Sequence, residues 1–138
     1  MKLTRRNARE WAVQMLCSAD LNPAADLQET ISEFWGSLAE CQPSSALRQF
    51  AEDRVKGVHG DLAAIDGELT ALLDNWDLYR LGTVERAVLR MGIWELKESD
   101  VPAAVAINEA VDLVNWFSTP KSRMLVNGVL DRYAKSRG

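Results

Sequence analysis

From Thr83 to about Glu98 the chain is apolar on two faces of a helix. Val84, Ala87, Val88, Met91 and Trp94 recur along one face, and Leu89, Ile93 and Leu96 along another. A helix of this kind is stable only when neighbours cover it on more than one side, which places it at the centre of a bundle. Its one continuous polar stripe is Arg86, Arg90 and Lys97, and Glu85 stands in the first turn, where the helix dipole favours an anion. This segment alone requires further helices to pack against it.

The rest of the chain supplies them. A first helix is expected from an N-cap at Thr4 to about Asp20, before the Leu21-Asn22-Pro23 break, with Ala8, Ala12, Met15, Leu16 and Ala19 as its buried stripe. Arg6, Arg9, Val13 and Cys17 fall within an arc of roughly 80° beside that stripe, so these arginines border the core. A second helix is expected over Asp26 to Glu40, with Leu27, Ile31, Phe34, Trp35 and Leu38 apolar, followed by a loop over Cys41 to Ser45. One long helix then carries Leu47, Phe50, Val55, Val58, Leu62, Ile65, Leu69, Leu72 and Leu73, with Gly57 and Gly60 marking a kink or break.

Asn75 to Gly82 reads as a turn containing Trp76, Tyr79 and Leu81. Asp100-Val101-Pro102 and Thr119-Pro120 are start signals for two further helices. Ile107, Ala110, Val111, Val114 and Phe117 face inward on the first of these, and Val126, Val129, Leu130 and Tyr133 on the second. Gly92 and Gly128 suit close approach between helices, and Asn108 and Asn127, inside apolar patterns, suit packing or a buried hydrogen bond. With no alternating strand pattern, the expectation is an all-α fold, a single-domain bundle of six to seven helices over residues 1–138.

Composition narrows the function classes. The chain has 138 residues, 47% of them hydrophobic, enough for one domain with its own core. No apolar run approaches the roughly 18 residues of a membrane span, and the basic start lacks the apolar core of a secretory signal, so a cytoplasmic protein is expected. Cys17 and Cys41 lie far apart with no histidine near either in sequence, which predicts free thiols and neither a zinc site nor a disulfide.

Catalysis finds little support. His59 is the single histidine, Cys17 has no base on its own helix, and Gly57 to Gly60 lacks the lysine of a phosphate-binding loop. The carboxylates are scattered over amphipathic helices, where solvated faces account for them. No enzyme, cofactor or metal is therefore expected.

The charge pattern is more informative. Net charge is −4, yet residues 1–10 and 121–138 together hold nine positive and two negative charges, leaving 7 basic and 18 acidic residues between them. Arg5, Arg6 and Arg9 form one basic cluster at the start of the first helix. Lys121 and Arg123, with Ser122 between them, form another at the start of the last. Cations at a helix N-terminus oppose the macrodipole, and backbone N–H groups there bind anions, so both clusters point to phosphate. If the fold brings the ends together, they make one basic patch on an acidic body.

Several motifs then occur in a telling order: RRNARE (5–10), TVERAVLRMGIWEL (83–96), DVPAAVAINEAVDL (100–113) and SRMLVNGVLD (122–131). In these runs the chain resembles the bacterial NusB family of transcription antitermination factors. The resemblance implies an all-helical RNA-binding protein that joins NusE, a protein also found in the small ribosomal subunit. Together they recognise the single-stranded boxA element of ribosomal RNA leader transcripts, within an antitermination complex on RNA polymerase that also supports ribosome assembly. By the same resemblance Arg5, Arg6 and Arg9 match RNA-contacting arginines, Lys121 and Ser122 lie in a connector that approaches RNA, and Glu85 matches an acidic residue used to bind NusE.

Cys17 departs from the pattern, standing where the family commonly has an aromatic residue, so stacking there would have to come from Trp11 or Tyr133, both better read as core. Two other readings are open. One is a protein adaptor without RNA affinity of its own. The other is an accessory domain of a ribosomal RNA methyltransferase, against which stands the lack of a glycine-rich cofactor unit and of a catalytic cysteine motif.

Overall fold

The computed structural model describes residues 2–38, 43–74, 76–117 and 119–137, without the side chains of Trp116 and Phe117. Among them lie seven α-helices and one short 3-10 turn, and no strand. The helices are α1 (Arg5–Leu21), α2 (Leu27–Ser37), α3 (Ser45–Gly60), α4 (Leu62–Leu72), α5 (Thr83–Glu98), α6 (Ala103–Phe117) and α7 (Pro120–Ser136). α2 stops at Ser37 with Leu38 as its C-cap, short of the Glu40 expected from sequence; Cys41, most of the expected loop start, Asn75 and the Phe117 side chain lie outside the described residues. No described helix is long and apolar enough to cross a membrane.

The chain divides into two compact units, Met1–Lys56 and Gly57–Gly138. In the first, α1 packs against α2. Thr4 caps α1: its N–H donates to Asn7 Oδ1 at 2.9 Å, so a side chain three residues on satisfies the backbone before the helix begins. Ala8, Trp11, Ala12, Val13, Met15 and Leu16 are all buried. Trp11 meets Trp35 edge to face at 5.8 Å, and the Trp35 indole N–H donates to Glu52 Oε2 at 2.9 Å, so the ring is packed at one end and hydrogen-bonded at the other.

The second unit is built around α5, which packs against α4, α6 and α7 as its two apolar faces require. Residues 86–93 of α5 are all buried. The long helix expected from Leu47 to Leu73 breaks at the second of its two marked glycines, giving two helices. α3 stops at Gly60, and Asp61 leaves helical geometry as the N-cap of α4. Gly57 is not the break: a side chain there would overlap the Trp94 indole, so this glycine makes room for that ring within the second unit.

The α5 polar stripe faces protein rather than water. Arg90, 5% exposed, donates from Nε and Nη2 to the two oxygens of Asp66 on α4, each at 2.8 Å. This bidentate pairing suits a guanidinium taken from water. Arg86 donates to the carbonyls of Leu78 and Leu81, tying the 3-10 turn Leu78–Arg80 to α5. Lys97 Nζ donates to Asp61 Oδ2 and Glu68 Oε1, both at 2.8 Å. Several carboxylates expected on solvated faces are thus the partners of this stripe.

The expected close approach holds at Gly92, where an added Cβ would lie 2.7 Å from Leu130 Cδ1. It does not hold at Gly128, which has nothing within 4 Å of that position. Asn108 and Asn127 are exposed rather than buried, because each falls on the outer side of its helix, so neither anchors a core hydrogen bond.

Candidate nucleic-acid interface

The first basic cluster belongs to the unit Met1–Lys56. No acidic residue occupies the first turn of α1, while Arg5 and Arg6, its first two residues, are both exposed. An acid-free helix start with two exposed guanidiniums is a favourable place for an anion, since dipole and side-chain charge act in the same direction. Arg9, one turn on from Arg5, differs: it is 3% exposed and its guanidinium lies 5.1 Å from the centroid of the Phe50 ring on α3. Burial at the α1 core edge takes it off the surface that the two exposed arginines share. Arg5 approaches the same ring at 4.9 Å and Arg54 at 3.4 Å.

The second cluster belongs to the unit Gly57–Gly138, at the start of α7. Thr119 is the N-cap, its hydroxyl accepting from the Ser122 N–H, and Pro120 fills the first helical position, where no N–H is needed. Lys121 and Arg123 are exposed, and again the first turn carries no acid. Ser122 is half-buried because its hydroxyl donates to Glu85 Oε1 at 3.0 Å. Glu85 sits in the first turn of α5, and its carboxylate folds back over Gly82, the N-cap, where any side chain would collide with it.

The structure therefore joins Glu85 to the connector. Between them opens a groove of about 210 Å³ bordered by Trp76, Arg80, Glu85, Lys121, Ser122 and Leu125. Trp76, 56% exposed, and Arg80 were not singled out as site residues from sequence. The available signal was an aromatic residue in a turn with no helical stripe to belong to. Trp11 and Tyr133 are 7% and 5% exposed, so neither offers a stacking face. Cys17 is a half-buried thiol, and no metal-binding group of His, Cys, Asp and Glu occurs among the described residues.

Seven described helices, two acid-free basic helix starts and a groove that sets Glu85 beside Arg80 and Lys121 define an all-helical protein with exposed cationic helix ends. The NusB family model matches residues 6–135. Proteins named transcription antitermination protein NusB from Anaeromyxobacter sp. and Geobacter sulfurreducens are 38% and 39% identical, over 97% and 96% of this chain and 92% and 94% of their own lengths. Among solved structures, T. maritima NusB superposes with a TM-score of 0.85 at 31% identity, covering 98% of this chain and 93% of that one. A structure of antitermination factors NusB and NusE in complex with dsRNA has a TM-score of 0.81 at 27% identity, covering 96% of each chain. The chain belongs to the NusB family, whose members are named for transcription antitermination rather than for an enzymatic activity.

Proposed function

We propose that this protein binds boxA-type RNA together with NusE and acts in the cytoplasm as a transcription antitermination factor for ribosomal RNA operons, joined to the RNA polymerase antitermination complex. The observation that carries the reading is the pair of exposed arginines, Arg5 and Arg6, at an acid-free helix start. Guanidiniums held there meet phosphates bidentately and give an affinity that falls with salt. The solved NusB and NusE pair with RNA supports both partners.

In this reading Arg5 and Arg6 are the principal RNA contacts, with Arg9 behind them. Lys121 and Arg123 are exposed second contacts, and Ser122 orients Glu85 for NusE. A half-buried carboxylate at a groove edge suits a basic ribosomal protein. Double-stranded RNA accompanies the solved pair, whereas single-stranded boxA is the ligand proposed here, because splayed bases are readable and a duplex edge is not.

An Arg5→Ala, Arg6→Ala double variant tests this. Losing two phosphate contacts should reduce the slope of log affinity against log salt by about 1.4, taking roughly 0.7 per single-strand phosphate. Unchanged affinity and slope would place the RNA elsewhere. Retained NusE binding with no RNA affinity in the wild type would instead favour a protein adaptor. The accessory-domain reading has less support, since the relatives matched along 92% and 94% of their own lengths are named as antitermination proteins.

A further inference from the structure

Phe50 lies early on α3 (Ser45–Gly60) and is half-buried, yet much of what surrounds its ring is charge. The guanidinium carbons of Arg54, Arg5 and Arg9 stand 3.4, 4.9 and 5.1 Å from the ring centroid. Arg54 is one turn further along the same helix. It folds back so that Nη1 donates to the Phe50 carbonyl at 3.2 Å, and it is 4% exposed. Arg9 is 3% exposed. Arg5 is the exposed member of the three.

A guanidinium resting on an aromatic ring is held through its flat face, by attraction to the ring's negative quadrupole. Its N–H donors lie in its own plane and stay directed outward, in the fork geometry that fits phosphate. An arginine free to rotate loses side-chain entropy when it binds; one already laid on a ring has lost much of it beforehand.

We infer that Phe50 is a positioning residue for RNA: its ring holds the Arg5 guanidinium oriented toward a phosphate. This rests on the reading of the α1 arginines as RNA contacts. It assigns to Phe50 a task that a purely apolar core residue of the same size would not perform.

The test compares Phe50→Leu, which keeps apolar bulk without a quadrupole, with Phe50→Trp, which restores one. Single-stranded boxA-type RNA is titrated against each at several salt concentrations, with Arg5→Ala and Arg6→Ala alongside and thermal melts to establish folding. Phe50→Leu should bind roughly three- to fivefold more weakly, the size of one cation–π contact, while Phe50→Trp recovers the loss. In the Arg5→Ala background Phe50→Leu should add nothing, because the group it positions is gone.

Should Phe50→Leu fail to fold, Phe50→pentafluorophenylalanine keeps the shape and removes the negative ring face; it should reproduce the loss. Wild-type affinity in a folded Leu or pentafluoro variant, or losses that multiply with Arg5→Ala, overturns the inference. If Arg6→Ala weakens binding while these variants do not, only the role of Phe50 fails. If Arg5→Ala and Arg6→Ala are also without effect, the RNA reading fails with it.

Discussion

Lys97 is gripped by two carboxylates, Asp61 at the N-cap of α4 and Glu68 within it, and the group as a whole responds to pH at both ends of the scale. Hydrogen bonds to Asp61 and then to Glu68 hold its ammonium well above the ordinary lysine range, against the opposing effect of burial. For Glu68, burial works to raise the carboxyl, but hydrogen bonds from Lys97 and Tyr133 and the charges of Lys97 and Arg137 outweigh it, so its value is lowered. Burial and then the hydrogen bond to Glu68 push the Tyr133 hydroxyl up. The lowered Glu68 contributes stability above its unfolded value near 4.5, lost as pH falls through the lower folded value. The raised Lys97 and Tyr133 contribute below their unfolded values, and that is lost as pH rises through the folded ones. Lys97→Met should therefore lower stability at neutral pH by about 1 kcal/mol, a discounted figure for partly exposed pairs. In thermal melts from pH 7 down to 3, the gap to wild type should narrow once the medium is more acidic than the ordinary carboxylate range. A gap independent of pH would mean that Lys97 contributes through packing alone. At this scale the sequence was least legible: Arg86, Arg90 and Lys97 could be read as a stripe, but Asp61, Asp66 and Glu68 look like any solvated carboxylates until α4 is laid against α5. Arg9 shows the same limit, since helical spacing brought it to the core edge without revealing the Phe50 ring that covers it.

Helix starts and stops were far more legible, because caps act within three or four residues of sequence. Thr4, Asp26 and Thr119 all cap as their types dictate, and α5 runs over Thr83–Glu98 as its apolar pattern requires. The break falls between Gly60 and Asp61, at the second of the two glycines that mark it in the sequence, and apolar spacing alone does not choose between those glycines because it continues from α3 into α4. Glycines within helices separate by what their missing side chain would meet. Gly67 on α4 has nothing within 4 Å of an added Cβ, whereas at Gly92 the Cβ would come within 2.7 and 2.9 Å of the two methyls of Leu130, a fully buried residue. Gly67→Ala should raise stability by up to about 1 kcal/mol through helix propensity. Gly92→Ala gains the same propensity but forces Leu130 aside, and an overpacking cost of about 1–3 kcal/mol leaves a net loss of about 1. Chemical denaturation of the two variants gives opposite shifts if α5 and α7 pack as described. Shifts of the same sign would mean that the α5–α7 contact yields easily.

For the whole molecule, segregated charge is what would let an acidic protein bind the RNA proposed for it. Cations are concentrated at the starts of α1 and α7, and no acid stands in the first turn of either helix. The Glu85 carboxylate, held by Ser122 in a groove shared with Trp76, Arg80 and Lys121, is the contact proposed for NusE. Sequence showed both basic clusters, and its resemblance to a family implied RNA and NusE as partners. It could not show that Ser122 and Glu85, 37 positions apart, share a hydrogen bond, because that depends on how α5 and α7 pack. The most direct test of the account is a titration of single-stranded boxA-type RNA against a scrambled RNA of equal length, with and without NusE, at two salt concentrations. Preferential binding of boxA, strengthened by NusE and weakened by salt, is the predicted result. Equal binding of boxA and scrambled RNA with NusE present, or no RNA binding in either state, would contradict it.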